Sequence, residues 1–137
     1  MRLALCQTNS GDDVVANERQ VIDLLERAAE GGADLAALPE VWPRQGSAKQ
    51  IRESAEPVPG PRIERLGEIA ARHRMWVHGG SLLERDGERV FNTSVLFDRE
   101  GNLVVTYRKI HLFDADPPGA VPSPRRCARP RAAPRRR

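Results

Sequence analysis

A carboxylate and an ammonium stand at two places where an α/β sheet would expose them. Glu40 follows Leu38-Pro39 at the carboxyl end of one short apolar run, and Lys109 sits in Tyr107-Arg108-Lys109-Ile110-His111 at the end of another. Open α/β sheets form ligand crevices at the carboxyl ends of their strands. A carboxylate there can move a proton and an ammonium can stabilise an oxyanion, which are the two assisting roles of acyl transfer. Taken singly, Glu40 reads as a solvated loop carboxylate and the basic cluster around Lys109 as surface charge. The combination is what points to chemistry.

Such chemistry needs a nucleophile, and the chain holds two cysteines. Cys6 lies in the first apolar run and reads as a small core residue. Cys127 is flanked by Arg126 and Ala128; neighbouring arginines can lower a thiol pKa, but no predicted strand holds it. Two cysteines so far apart make neither a disulfide framework nor a metal cluster, and they fit a reducing compartment. His73, His78 and His111 lack tight ligand spacing, so no metal and no other cofactor is expected. Gly79-Gly80 could cradle a phosphate, yet the helix opening that such loops need does not follow. Asn92, inside a predicted strand, reads as a satisfied structural asparagine or a group bonding backbone near the pocket. Trp42 reads as a pocket wall or as simple packing.

The elements that must position these residues follow from periodicity. Arg2 to Gln7 is a short apolar run that reads as a strand, with Asp12 and Asp13 as candidate N-caps behind it. Val14, Val21, Leu24, Leu25 and Ala28 recur at helical spacing up to Ala29, and Gly31-Gly32 stops that helix. Leu35 to Leu38 is continuous, as in a strand covered on both faces. Val41 to Gly60 reads as a long irregular connection with at most one short helical turn. Pro61 opens a second helix ending near Arg74, and Met75–Leu83, Val90–Phe97 and Leu103–Arg108 read as a three-strand meander with turns at Asp86-Gly87 and Arg99-Glu100-Gly101-Asn102. The sum is an α/β domain with a mixed sheet.

Composition agrees with one globular domain: 137 residues, 39% hydrophobic, 30% charged and 4% aromatic. No window approaches the roughly 18 apolar residues of a membrane span, and Met1 to Thr8 is too short for a signal peptide's apolar stretch. A cytoplasmic protein without a membrane partner is expected. The net charge of +3 averages two unlike pieces, because the residues after Gly119 hold seven of the 22 basic residues and none of the 19 acidic ones. Fifteen basic against nineteen acidic residues leave positions 1–119 at −4. The division expected is a folded part at 1–116 and a disordered Arg/Pro/Ala-rich tail at 117–137.

Leu38-Pro39-Glu40-Val41-Trp42, His78-Gly79-Gly80-Ser81, Asn92-Thr93-Ser94-Val95-Leu96-Phe97-Asp98 and Tyr107-Arg108-Lys109-Ile110-His111-Leu112-Phe113-Asp114 resemble, in order and spacing, the nitrilase superfamily of carbon-nitrogen hydrolases. The resemblance covers about the first 115 residues. It implies an α-β-β-α sandwich, here partial, that dimerises in intact relatives, and a Glu-Lys-Cys triad acting on a non-peptide amide or nitrile. On that pattern Glu40 falls on the general base and Lys109 on the cation that steadies the tetrahedral intermediate. The stretch from Tyr107 to Phe113 is more similar to the amidase branches than to true nitrilases.

The pattern then departs from the family. The family's nucleophilic cysteine follows a later strand, and no residue here matches it; nor is there a second glutamate after Glu100. The expectation is an amidase-type hydrolase truncated before its nucleophile and inactive alone, as a frame-shifted reading of a high-GC gene would produce. The competing reading is a polyanion or nucleic-acid binder using the seven arginines from Arg125 to Arg137, whose binding would weaken steeply with salt. A third is an inactive subunit paired with a complete relative.

Overall fold

The computed structural model describes residues 1–111. In chain order these form β1 (Leu3–Leu5), α1 (Val14–Glu30), β2 (Leu35–Ala37), α2 (Ala48–Glu53), α3 (Pro61–His73), β3 (Trp76–Asp86), β4 (Arg89–Phe97) and β5 (Leu103–Arg108). The strands make one sheet in the order β1-β2-β3-β4-β5, with β1, β2 and β3 parallel and β3, β4 and β5 an antiparallel meander. This is the mixed α/β sheet expected from the sequence. The expected 117–137 tail and Cys127 lie outside the described residues.

Local chemistry sets the element ends. Of the two candidate caps, Asp13 acts: its carboxylate accepts the N–H groups of Val15 and Ala16 at the start of α1. Helix α3 starts with Pro61 behind Gly60, which has no side chain to cap it. The Glu56 carboxylate supplies that function, accepting the Arg62 N–H at 2.9 Å. The long connection holds the one short helix foreseen, α2, with a reciprocal Ser47/Gln50 capping box. It also does something that periodicity did not show. Glu56 pairs with Glu84 in a single bridge, with Glu56 N–H donating to Leu83 O and Arg85 N–H to Glu56 O. That bridge covers the edge of β3 left open where β2 ends, while pairing of Glu84, Arg85 and Asp86 with Phe91, Val90 and Arg89 of β4 carries β3 on to Asp86 rather than stopping it at Leu83.

Register divides the sheet into two faces. Ala36, Val77, Val95 and Phe97 are buried and join one core cluster with Val21 and Leu25 of α1 and Ile63, Leu66, Ile69 and Ala70 of α3. Burying an aliphatic or aromatic side chain of this kind contributes about 1.5–3 kcal/mol, so the helices are held on that face. The other face carries His78, Asn92, Ser94, Leu96, Val105 and Tyr107, all half-buried or exposed. A bulge between His78 and Ser81 shifts the alternation of β3 by one residue. No helix among the described residues is long and apolar enough to cross a membrane.

Candidate active site

Two reversals of strand direction, β3 to β4 and β4 to β5, return β5 to the direction of β2. The carboxyl ends of β2 and β5 therefore lie along one edge of the sheet, and topology alone brings the segments after them to the same side. Glu40 and Lys109 meet there, with Lys109 Nζ 2.5 Å from Glu40 Oε1. Both border an open cleft of about 420 Å³ that His78, Ser81, Asn92 and Tyr107 also line. The cleft lies on the face turned away from α1 and α3.

The loop that carries Glu40 is clamped to the bulge of β3. Leu38 N–H donates to His78 O at 2.9 Å, Ser81 N–H to Pro39 O at 3.2 Å, and Val41 N–H to Ser81 Oγ at 3.1 Å. The fourth clamp is Trp42, whose indole N–H donates to Gly79 O at 2.9 Å. Trp42 is 1% exposed, so of its two sequence readings the structure selects packing. Val41 is held at φ 48°, a conformation that costs an L-residue about 1–2 kcal/mol. A β-branched residue kept there beside Glu40 shows how tightly the surrounding bonds determine the turn.

On the other side of the site, Arg108 and Lys109 are neighbours in sequence, and consecutive side chains leave a strand on opposite faces. Arg108 points to the core side, where it pairs with Glu84 and lies 4.1 Å from the centre of the Phe91 ring. Burial would push the Glu84 carboxyl up, but the hydrogen bonds from Arg108 and Thr93 outweigh it and hold the group below the ordinary carboxylate range. Lys109 consequently emerges on the cleft side, with its main-chain N–H donating to Asn92 O at 2.8 Å.

The Lys109 hydrogen bond, against a smaller opposing effect of burial, keeps the Glu40 carboxyl below its usual range, and Asn92 Nδ2 adds a second bond at 2.8 Å. Glu40 is thus an anion at neutral pH, and the ammonium beside it retains further N–H donors for a second negative centre. The other sequence candidates separate cleanly. Cys6 is buried on the helix side, its thiol pushed up by desolvation, and it does not line the cleft. Gly79-Gly80 forms the bulge rather than a phosphate cradle. His78 and His111 border the cleft whereas His73 pairs with Glu26 on α1. No group of three or more His, Cys, Asp or Glu side chains that could hold a metal ion occurs among the described residues.

Sequence reasoning missed the cleft-lining roles of Ser81 and Tyr107; for Asn92 one of its two readings was a place near the pocket with a backbone partner, where the structure pairs the amide with the Glu40 carboxylate. The available signal was strand alternation: Asn92, Ser94 and Leu96 had to oppose the buried Thr93, Val95 and Phe97.

Comparison with known proteins identifies the family. A model of the carbon-nitrogen hydrolase family matches residues 2–131. The chain is 37% identical over 120 residues to the omega-amidase NIT2 of Homo sapiens and 38% to that of Xenopus tropicalis. Each alignment takes in 88% of this chain and 44% of the relative, so the chain spans less than half the length of the curated relatives it matches. Among solved structures, the C. elegans NitFhit protein aligns with a TM-score of 0.74 at 27% identity, over 88% of this chain and 30% of that one. XC1258 from Xanthomonas campestris, a CN-hydrolase superfamily protein, aligns with a TM-score of 0.71 at 32% identity, over 82% of this chain and 42% of that one. The chain belongs to the carbon-nitrogen hydrolase family, within the nitrilase superfamily.

Proposed function

We propose that residues 1–116 are the part of an amidase-type carbon-nitrogen hydrolase that supplies its general base, Glu40, and its oxyanion-stabilising cation, Lys109. The observation that supports this most directly is the Glu40–Lys109 contact in an open cleft. The likeness to omega-amidases favours small ω-amides over nitriles as substrates. In the reaction, Glu40 takes the proton of a cysteine thiol as the thiolate adds to the amide carbon. The oxygen of the tetrahedral intermediate faces the Lys109 ammonium, Glu40 returns its proton to the amide nitrogen as ammonia leaves, and the carboxylate so regenerated takes a proton from the water that cleaves the thioester.

The described residues place no thiol in the cleft. The 137-residue chain is therefore expected to release ammonia from small ω-amides only at background rate, since losing a triad nucleophile removes several orders of magnitude. The assay runs the purified chain beside Cys127→Ala and Glu40→Gln. Turnover abolished by Cys127→Ala would make Cys127 the nucleophile; turnover abolished only by Glu40→Gln would mean that directly activated water suffices. Either result overturns this reading.

Self-association is part of the same proposal. Leu3, Leu5, Val105 and Tyr107, exposed by 51, 77, 50 and 51%, lie on the sheet face that no helix covers, and an apolar face of this kind gains by burial against a second copy. Sedimentation velocity should show concentration-dependent association that weakens in a Val105→Lys/Tyr107→Lys variant. A wild-type chain that stays monomeric at high concentration excludes it.

A further inference from the structure

One residue of the cleft touches both members of the pair. The Asn92 side-chain amide donates to Glu40 Oε1 at 2.8 Å, and its main-chain carbonyl accepts the Lys109 N–H at 2.8 Å. Lys109 Nζ donates to that same Oε1. Two donors thus converge on one carboxylate oxygen, whereas Glu40 Oε2 has no hydrogen-bond partner among the described residues.

Asn92 is itself held by its surroundings. It stands in β4 opposite Leu83, and the next residue, Thr93, is 1% exposed, pairs with Arg108 and donates to Glu84 Oε2 at 2.6 Å. Its backbone is fixed from both neighbouring strands, so its amide is a stationary reference for a glutamate side chain that is itself 56% exposed. An exposed glutamate on a loop would otherwise sample several rotamers.

We infer that Asn92 is a positioning residue that fixes the rotamer of Glu40, occupying Oε1 together with Lys109 so that Oε2 is the oxygen that takes the proton. The chemistry follows from counting. Lys109 alone would leave the carboxylate free to pivot about one contact, and either oxygen could then turn to the ammonium. A second donor from a different direction fixes the plane of the group, and a general base must hold its accepting atom within about 3 Å of the proton it takes. Asn92 serves both partners at once, through its side chain for the base and its backbone for the cation. The inference rests on the reading of Glu40 as the base, and its test separates the two.

The test uses the 137-residue chain with carboxyl-labelled glutamate. Carbon NMR reads the Glu40 titration and the couplings that report its side-chain rotamer. Wild type should titrate below the ordinary carboxylate range with couplings of a single rotamer. Asn92→Leu should move the midpoint upward and average the couplings, while Lys109 still holds part of the depression. Asn92→Asp keeps size and shape but exchanges the donor for a charge, so it should raise the midpoint further even if the leucine variant folds poorly. Lys109→Met is the reference. A Glu40 midpoint and rotamer unchanged in both Asn92 variants but raised in Lys109→Met overturns the inference and leaves the pair intact. A midpoint unmoved in Lys109→Met as well overturns the pair, and with it the reading of the site.

Discussion

Replacing Gly80 by alanine is expected to destabilise the chain by about 3 kcal/mol or more and to separate Glu40 from Lys109. Gly80 has φ +61°, and a Cβ there would lie 2.0 Å from Pro39 O and 2.8 Å from Leu38 O. Both obstacles are backbone, so no side chain can swing aside. Relief requires the Leu38–Glu40 segment to retreat from β3, which breaks the Leu38–His78, Ser81–Pro39 and Val41–Ser81 hydrogen bonds, each contributing about 1 kcal/mol. Gly87 provides the control, because it has nearly the same φ, +60°, and nothing within 4 Å of its hypothetical Cβ. Gly87→Ala should therefore cost only the conformational share, about 1–2 kcal/mol. Urea unfolding of the two variants measures the difference. Equal losses would show that the close approach of Pro39 is not what Gly80 is for. A Glu40 carboxyl that still titrates low in a folded Gly80→Ala chain would show that the loop's path is not what holds Glu40 beside Lys109.

That role for Gly80 illustrates what a sequence can and cannot disclose. Strands and helices were legible because burial imposes a period: the apolar spacing of Val21, Leu24, Leu25 and Ala28 follows from one helix facing one core. Glu40 and Lys109 were legible because polar residues directly after strands stand where α/β sheets open. The partners of those residues were not. Asn92 alternates correctly with Thr93 and Val95, but whether its amide meets a carboxylate depends on a strand pairing and a bulge that leave no local period. The Gly79-Gly80 pair signalled a need for unusual backbone and gave no indication which backbone approaches it; the answer, Pro39, is 41 residues before Gly80 in sequence. Glu56 is the same kind of case. Nothing near it in the chain announces that it will bridge the edge of β3, cap α3 and pair with an arginine at once.

The last of these functions predicts the second large effect. The Arg62 side chain is 8% exposed and joins two carboxylates: its Nε lies 2.9 Å from Glu18 Oε1 and its Nη1 3.2 Å from Glu56 Oε2. This cluster ties α1 and the long connection to the first turn of α3. Burial raises the Glu56 carboxyl above its ordinary value, and Arg62 opposes that rise. Arg62→Met keeps much of the packing but leaves two partly buried carboxylates uncompensated, an arrangement that costs about 2–4 kcal/mol once their 18 and 25% exposure is allowed for. The pH dependence has a definite sign. A carboxyl whose folded pKa exceeds its unfolded one binds a proton more readily when folded, so its contribution is fully present below the unfolded value and is lost as pH rises through the folded one. Removing Arg62 raises the folded value further. The deficit of Arg62→Met should therefore be greatest near neutrality and shrink as the solution is acidified and Glu56 becomes neutral. Adding Glu56→Gln to that variant removes the buried charge and should restore part of the stability at pH 7, a coupling that a double-mutant cycle measures directly. A deficit independent of pH and untouched by Glu56→Gln would mean that Arg62 acts through packing alone, and that α3 is held to α1 by its apolar face without help from the cluster.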